Sequence, residues 1–283
     1  MIKKKVVLLR NIFIMKSKLF ILSLLLLVAT SCGEYEKLLK STDYELKKQK
    51  VYDYYDEGKY VKATELLGQI LPRYRATDEA EQLNWINAQA FYKLKDYLMA
   101  GTYFQNFAEL YPMSNNAEEA SYLSAVCDFN MSPRPELDQA YTRKAVESFT
   151  IFMNRYPSSS YVEDSKAKVN LLQEKLVEKS YLSAKLYYDL KQYRAATVSL
   201  ANSLKEYPDT KYREELMFLK LDALYLYAIN SIPAKQVERY QATLDEYYSF
   251  IEEFPDSKYQ KDVKRIMQST AKFLKVDLTS EKS

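Results

Sequence analysis

Between Glu81 and Pro112 the chain sets small and aromatic residues at helical spacing on two segments, and this arrangement recurs along its length. Ala88 and Phe91 lie on the first segment, Lys93–Asp96 interrupts it, and Tyr97, Ala100, Phe104 and Phe107 follow, closing on Tyr111-Pro112. The small residues let two helices cross closely. The aromatics fill the space beside them, and proline cannot continue the helix it follows. Copies of the second segment stand at Tyr60/Ala63/Leu67/Ile70/Tyr74, Thr142/Ala145/Phe149/Phe152/Tyr156, Tyr193/Ala196/Leu200/Ser203/Tyr207 and Tyr240/Thr243/Tyr247/Phe250/Phe254. An aromatic-Pro step ends four of the five copies. A Ser, Thr or Asp follows the later ones (Ser158-Ser159-Ser160, Asp209-Thr210, Asp256-Ser257), offering an N-cap to the next helix.

This is the tetratricopeptide pattern, and its recurrence predicts an all-α fold: a right-handed α-solenoid of five tetratricopeptide helical hairpins with a C-terminal capping helix. The expected organisation is a signal peptide over 1–31, a lipidated tether over 32–42 and the solenoid over 43–275, with a flexible tail over 276–283. Within the solenoid the repeats fall at about 43–74, 80–112, 117–157, 162–208 and 212–255, and the capping helix at 257–275. Two insertions break the period. Met131-Ser132-Pro133-Arg134-Pro135-Glu136 forces a longer loop inside the third hairpin, because two prolines cannot sit in a helix interior. Fourteen extra residues between Pro157 and Ala184, free of Pro and Gly, could extend a helix by about 21 Å and so divide repeats 1–3 from 4–5. In the first repeat Lys47 and Lys50 occupy positions where large apolar residues are usual, which a terminal repeat with one face in water tolerates.

Composition narrows the function. Four glycines in 283 residues leave no material for phosphate-cradling loops, and no histidine occurs, which excludes Ser-His-Asp and Cys-His catalysis and the usual zinc-enzyme ligand sets. No pair of carboxylates stands in an apolar setting; the acids lie along helix faces as solvated charge does. The sequence therefore points to a protein that is not an enzyme and needs no cofactor.

Leu19 to Thr30 is an apolar run too short to span a bilayer comfortably, preceded by Lys16 and Lys18 and followed by Ala29, Thr30, Ser31 and Cys32. A basic start, an apolar core and small residues describe a secretory signal peptide, with Met15 as an alternative start to Met1. The cysteine that follows resembles a bacterial lipoprotein box, in which Cys32 becomes the lipidated first residue; the alternative is an ordinary signal peptide with an incidental cysteine. Removing the six basic residues of that segment turns the formal charge from +3 to −3, and nucleic-acid binding loses its support. Gly33 rather than aspartate after the cysteine implies, by the same resemblance, anchorage in the outer membrane, on the periplasmic face. Glu34 and Glu36 hint only weakly at surface export. Cys127 falls at a core-like helical position, which predicts a buried thiol.

The first helices share a second recurrence. Asn84-Trp85-Ile86-Asn87-Ala88, Ser121-Tyr122-Leu123-Ser124-Ala125 and Ser180-Tyr181-Leu182-Ser183-Ala184 each run small polar, aromatic, aliphatic, small polar, Ala. Four residues beyond each alanine stands Tyr92, Phe129 or Tyr188, and Tyr55 takes that slot in the first repeat. Trp85 and Tyr92 share one helical face. These rings either line a concave groove for an extended, aromatic-ended peptide, or pack between neighbouring repeats. In the fifth repeat Lys220 takes the slot of Trp85, and the groove fades. The last helix carries Lys261, Lys264, Arg265 and Lys272 around Val263, Ile266 and Phe273: a cap with a solvated basic face, or a docking site for an acidic partner.

The lipoprotein signal, the five repeats and the length together resemble the BamD family of outer-membrane assembly lipoproteins. The likeness is carried by Ser132-Pro133, Leu137-Asp138-Gln139, Thr142, Ala145, Phe149, Phe152 and Arg155-Tyr156-Pro157, and by Glu178, Ala184, Tyr187-Tyr188, Tyr193 and Ala195-Ala196, and it covers about 43–273. It implies a non-catalytic subunit of the β-barrel assembly machinery, with a BamA-type barrel subunit and unfolded outer-membrane β-barrel proteins as partners. It implies that Tyr52, Tyr55, Trp85, Gln89, Tyr92, Tyr122 and Phe129 face the substrate peptide. Tyr181, Tyr188, Lys261 and Arg265 would face the barrel subunit. Two other readings stay open: a repeat lipoprotein coordinating Tol-Pal or peptidoglycan functions, and a glycan-capturing surface lipoprotein. The first class usually carries a coiled coil before its repeats, and the second loop-rich insertions; neither is visible here.

Overall fold

A computed structural model of the protein describes residues 33–276; the segment expected as a signal peptide, Cys32 and residues 277–283 lie outside them. Among the described residues all regular structure is helical. After α1 (33–40) come α2 (Tyr44–Asp56), α3 (Tyr60–Tyr74), α4 (Ala80–Lys93), α5 (Tyr97–Leu110), α6 (Ala117–Met131) and α7 (Ala140–Arg155). Then follow α8 (Val162–Asp189), α9 (Tyr193–Glu206), α10 (Arg213–Ile229), α11 (Pro233–Glu253) and α12 (Gln260–Leu274). Consecutive helices pack as hairpins, α2 on α3, α4 on α5, α8 on α9 and α10 on α11, with α12 against α10 and α11. This is the tetratricopeptide type of fold the sequence predicts.

The repeated small residues make that packing possible. Ala63, Ala100, Ala145, Ala196 and Thr243 are each 0% exposed, as are Phe104, Phe149, Leu200 and Phe250 beside them. In α5 a further residue is small for a reason: a Cβ on Gly101 would stand 3.1 Å from the Cβ of Cys127. The Ser124 hydroxyl donates to the Gly101 carbonyl across the same contact, at 3.1 Å. Cys127 is fully buried there, as expected.

Three of the turns within hairpins share one geometry. Gly58, Lys95 and Lys191 have positive φ, and the two amides after each helix return to its last turn: Gly58 N to Tyr55 O and Lys59 N to Tyr54 O, Lys95 N to Tyr92 O and Asp96 N to Phe91 O, Lys191 N to Tyr188 O and Gln192 N to Tyr187 O. This is the Schellman ending, in which glycine is the residue without strain. Only the first of these three turns has it.

The chain divides into two compact units at Cys127/Asp128, inside α6. The expected division at the long helix is therefore displaced. The long helix exists, 28 residues as α8, but its extra turns are fastened within the second unit. It packs on both α7 and α9, and Lys175 donates to the Ser132 hydroxyl (2.7 Å) and Lys179 to the Glu136 carbonyl (2.9 Å) in the α6–α7 loop.

The segment expected as a tether is also different: residues 33–40 form a helix that packs on the first hairpin. Leu38 joins the core of Val51, Leu66, Leu67, Ile70, Leu83 and Ile86. This helix changes the setting of Lys47, which is 3% exposed rather than in water. Its ammonium is satisfied by the Leu39 carbonyl (3.0 Å) and Gln69 Oε1, as a buried charge requires. Lys50, by contrast, pairs with Asp53 near the surface.

Candidate polypeptide-binding surfaces

In the first unit the aromatic residues of α2 and α4 are half-buried, each leaning on the second helix of its own hairpin. Trp85 sets its ring edge-on to Phe104 (centroids 5.7 Å, 61°) and tilted on Phe107 (5.3 Å, 54°). Tyr92 meets Phe104 (6.0 Å, 68°) and Tyr97 (5.9 Å, 68°). Burial pushes its hydroxyl pKa upward. Trp85 and Tyr92 thus share Phe104 as their floor, with half-buried Gln89 between them in sequence on the same helix. Tyr55 stands edge-on to Tyr60 (5.5 Å, 67°), and Tyr52 and Tyr55 pack on the core that includes Leu83 and Ile86 of α4. Tyr122 of α6 is half-buried.

The polar members of the recurrent pattern have structural work. Asn84 donates to Tyr111 Oη (3.2 Å), Ser124 to Gly101 O, and Ser180 to Ser203 Oγ (2.9 Å). Each bond crosses to a second helix, so the polar positions fix how two helices meet.

In the second unit the equivalent rings are covered further. Tyr181 lies flat on Tyr212 (4.1 Å, 9°), and its hydroxyl donates to Glu215 at 2.8 Å. Phe218 lies on Tyr259 in the same way (4.0 Å, 1°). Tyr188 meets Tyr193 (6.2 Å, 64°) and donates to Asp222. Burial first, then the neighbouring carboxylate, pushes the hydroxyls of Tyr181 and Tyr188 well above the usual tyrosine range. Asp222 is 7% exposed and faces Arg265 of α12 at 4.0 Å, so Tyr188, Asp222 and Arg265 join α8, α10 and α12. Of the four residues expected to face a second partner, the structure brings Tyr188 and Arg265 together, turns the ring of Tyr181 onto a neighbour, and leaves Lys261 exposed. Phe129 belongs to this unit too, edge-on to Phe149 (6.4 Å, 73°) with the Lys168 ammonium 5.7 Å over its ring.

Phe218 is the residue the sequence reading missed. Lys220 was expected in the slot of Trp85, but it pairs with Glu246 on α11. The register is set by Tyr225, edge-on to Tyr240 (6.3 Å, 66°) as Tyr92 is to Tyr97 and Tyr188 to Tyr193. Leu221 then stands where the other first helices have alanine, and that exchange hid the pattern. The expected N-caps are corrected as well. Tyr161, Tyr212 and Tyr259 occupy the cap positions without a side-chain cap bond. Ser159, Thr210 and Ser257 instead accept the amides of those tyrosines at 3.1, 3.2 and 3.0 Å, a turn made before the helix. Two such serines also donate back to an earlier first helix, Ser114 to Glu81 and Ser257 to Glu214, both at 2.7 Å.

Half-buried rings on a rigid helical backing, flanked by hydrogen-bonding side chains, suit recognition of another polypeptide: they add apolar contact at little rotamer cost. Residues 43–240 match the profile of the outer membrane lipoprotein family YfiO. The chain is similar to the outer membrane protein assembly factor BamD of Caulobacter vibrioides, 23% identical over 178 residues, which are 63% of this chain and 58% of that protein. It is similar to the BamD of Rickettsia prowazekii, at 22% over 197 residues (69% and 78%), and to that of Haemophilus influenzae, at 26% over 177 (59% and 68%).

Proposed function

Because the chain belongs to the YfiO family of outer membrane lipoproteins, we propose that it is an outer membrane protein assembly factor that binds polypeptides without transforming them. The first unit receives the aromatic-ended C-terminal segments of unfolded outer-membrane β-barrel proteins across Tyr52, Tyr55, Trp85, Gln89, Tyr92 and Tyr122. The second unit, with Tyr181, Tyr188, Lys261 and Arg265, docks on the periplasmic domains of a BamA-type barrel subunit, and its Phe129 serves the substrate peptide. Acyl chains on Cys32 hold the chain to the outer membrane, on its periplasmic face. The observation that carries this reading is the pair Trp85 and Tyr92, both half-buried on Phe104, so that each keeps surface for a ligand while its position is fixed.

Capture of a synthetic C-terminal peptide from an outer-membrane β-barrel protein tests it. Trp85→Ala should weaken the complex by about tenfold or more, the loss of a central aromatic contact. Trp85→Phe, which keeps the packing on Phe104 and Phe107, should recover part of it. Unchanged affinity in Trp85→Ala, with helicity intact by circular dichroism, would overturn the placement of the peptide. For the anchor, Cys32→Ala should leave the membrane fraction and take up no labelled palmitate.

A further inference from the structure

We propose that the edge of the first unit formed by the α2–α3 and α4–α5 turns lies on the phospholipid headgroups of the anchoring membrane; this rests on the acylation of Cys32 proposed above. The first observation is the docking of α1. Tyr35, at its start, donates to Glu65 (2.6 Å) and to the Lys62 carbonyl (3.3 Å), and its ring stands edge-on to Tyr54 at 5.7 Å. The Lys62 ammonium sits 4.7 Å over that ring. The other end of α1 meets Lys47, whose ammonium reaches both Leu39 O and Gln69. The start of α1 therefore lies at the α2–α3 turn and its end toward the far edge of the hairpin.

Reach then decides the geometry. Tyr35 is the third residue after Cys32, and an extended chain spans at most about 3.6 Å per residue, so at most about 11 Å joins the acylated residue to the backbone of a residue whose side chain is held in place. While α1 stays docked, that edge cannot move farther than this from the bilayer surface.

The second observation is the chemistry of the edge. Short turns between helices packed in sequence put alternate turns on the same side of a stack. The α2–α3 turn presents Val61, 63% exposed, beside Lys62, and the α4–α5 turn presents Lys93, Lys95 and Leu98, 55% exposed. Of the acids there, Glu57 pairs with Lys59 and Asp96 caps α5, while Asp56 is exposed. Exposed aliphatic side chains among amines on long stems match an interface whose surface is phosphate and whose interior is acyl chain. The opposite edge of the unit mixes both signs of charge, with Arg75, Asp78 and a Glu79 paired to Lys48, and carries Ser114, Asn115 and Asn116 beside an exposed Met113.

Nitroxide labels on Val61→Cys and Met113→Cys read the two edges, both residues being exposed (63% and 95%) and Cys127 being fully buried. The full precursor is expressed, and the acylated protein is purified from membranes and placed in phosphatidylethanolamine–phosphatidylglycerol vesicles. The expected result is that an aqueous nickel chelate relaxes the Val61 label less than the Met113 label, and oxygen dissolved in the lipid relaxes it more. Cys32→Ala protein mixed with the same vesicles should show no such contrast. Equal exposure of both labels to the chelate in protein that floats with the vesicles would overturn the edge and leave the anchor standing. Protein that does not float, with Cys32 unmodified by mass, would overturn both.

Discussion

Tyr181 was expected to meet a partner, and in the structure it lies flat on Tyr212; the pair offers a direct measure of how much these recurrent rings serve packing. Tyr181→Phe keeps the stack and removes only the hydroxyl bond to Glu215. A hydrogen bond to a charged group contributes about 1.5–3 kcal/mol, and half-exposure lowers that to about 1 kcal/mol here. Tyr181→Ala also deletes the ring, with an expected loss of about 3 kcal/mol, the low end for a large aromatic because the site is half-buried. Tyr212→Ala loses a similar amount. The double variant should then lose less than the two together, the difference being the face-to-face contact itself, about 1 kcal/mol. Urea unfolding followed two ways gives the assay. Trp85 is the single tryptophan, so its fluorescence reports the first unit, while circular dichroism reports both. The shift should appear in dichroism and leave the fluorescence transition in place. Additivity within about 0.3 kcal/mol would refute the reasoning, because it would mean the rings are neighbours without interacting.

Three further outcomes follow from other contacts. Gly101→Val should lower the unfolding free energy from fluorescence-detected urea curves by about 2 kcal/mol, since even a Cβ there stands 3.1 Å from Cys127; an unchanged value would mean α5 and α6 separate freely. Lys95→Gly should raise that free energy by roughly 1 kcal/mol by relieving a left-handed conformation that a lysine holds at φ 60. Stability should be flat from neutral pH to about pH 9 and fall above about pH 10. The Tyr35, Tyr181 and Tyr188 hydroxyls are held above their ordinary value in the fold, so the unfolded chain ionises first, and Tyr181→Phe with Tyr188→Phe should make the fall shallower in a pH series of urea midpoints.

The hairpins were legible because their signal is local. Ala88 and Ala100 are small where two helices touch, the aromatic-Pro steps stop the second helices, and both properties depend on a few adjacent residues. The long α8 was legible for the same reason, as a run of helix formers without a breaker. What escaped depends on contacts distant in sequence. Nothing in residues 33–40 alone reveals that Leu38 meets Val51 and Leu66, and Lys47 reads as solvated until α1 is laid over it. Phe218 was concealed because Leu221 replaces an alanine that the pattern needed, and only the contact of Tyr225 with Tyr240 restores the register. The division inside α6 was missed because a helix carries no mark of which neighbours its two halves serve. For the candidate surface, the recurrence in the sequence picks out the rings of the first helices. It left open which faces of those rings the protein itself covers, and the structure answers that most fully for Tyr181 and Phe218.

The line from Tyr188 through Asp222 to Arg265 gives the last helix a task besides shielding apolar side chains. A chain cut at Lys258 would bare Met217, Leu221 and Phe250 by removing Val263 and Ile266. It would also strip the cation from a carboxylate that is 7% exposed and still gripped by a tyrosine hydroxyl from α8. Damage at the C-terminus would thereby register four helices upstream, in α8, so a truncation meant to remove one docking element would disturb the neighbouring hairpins as well.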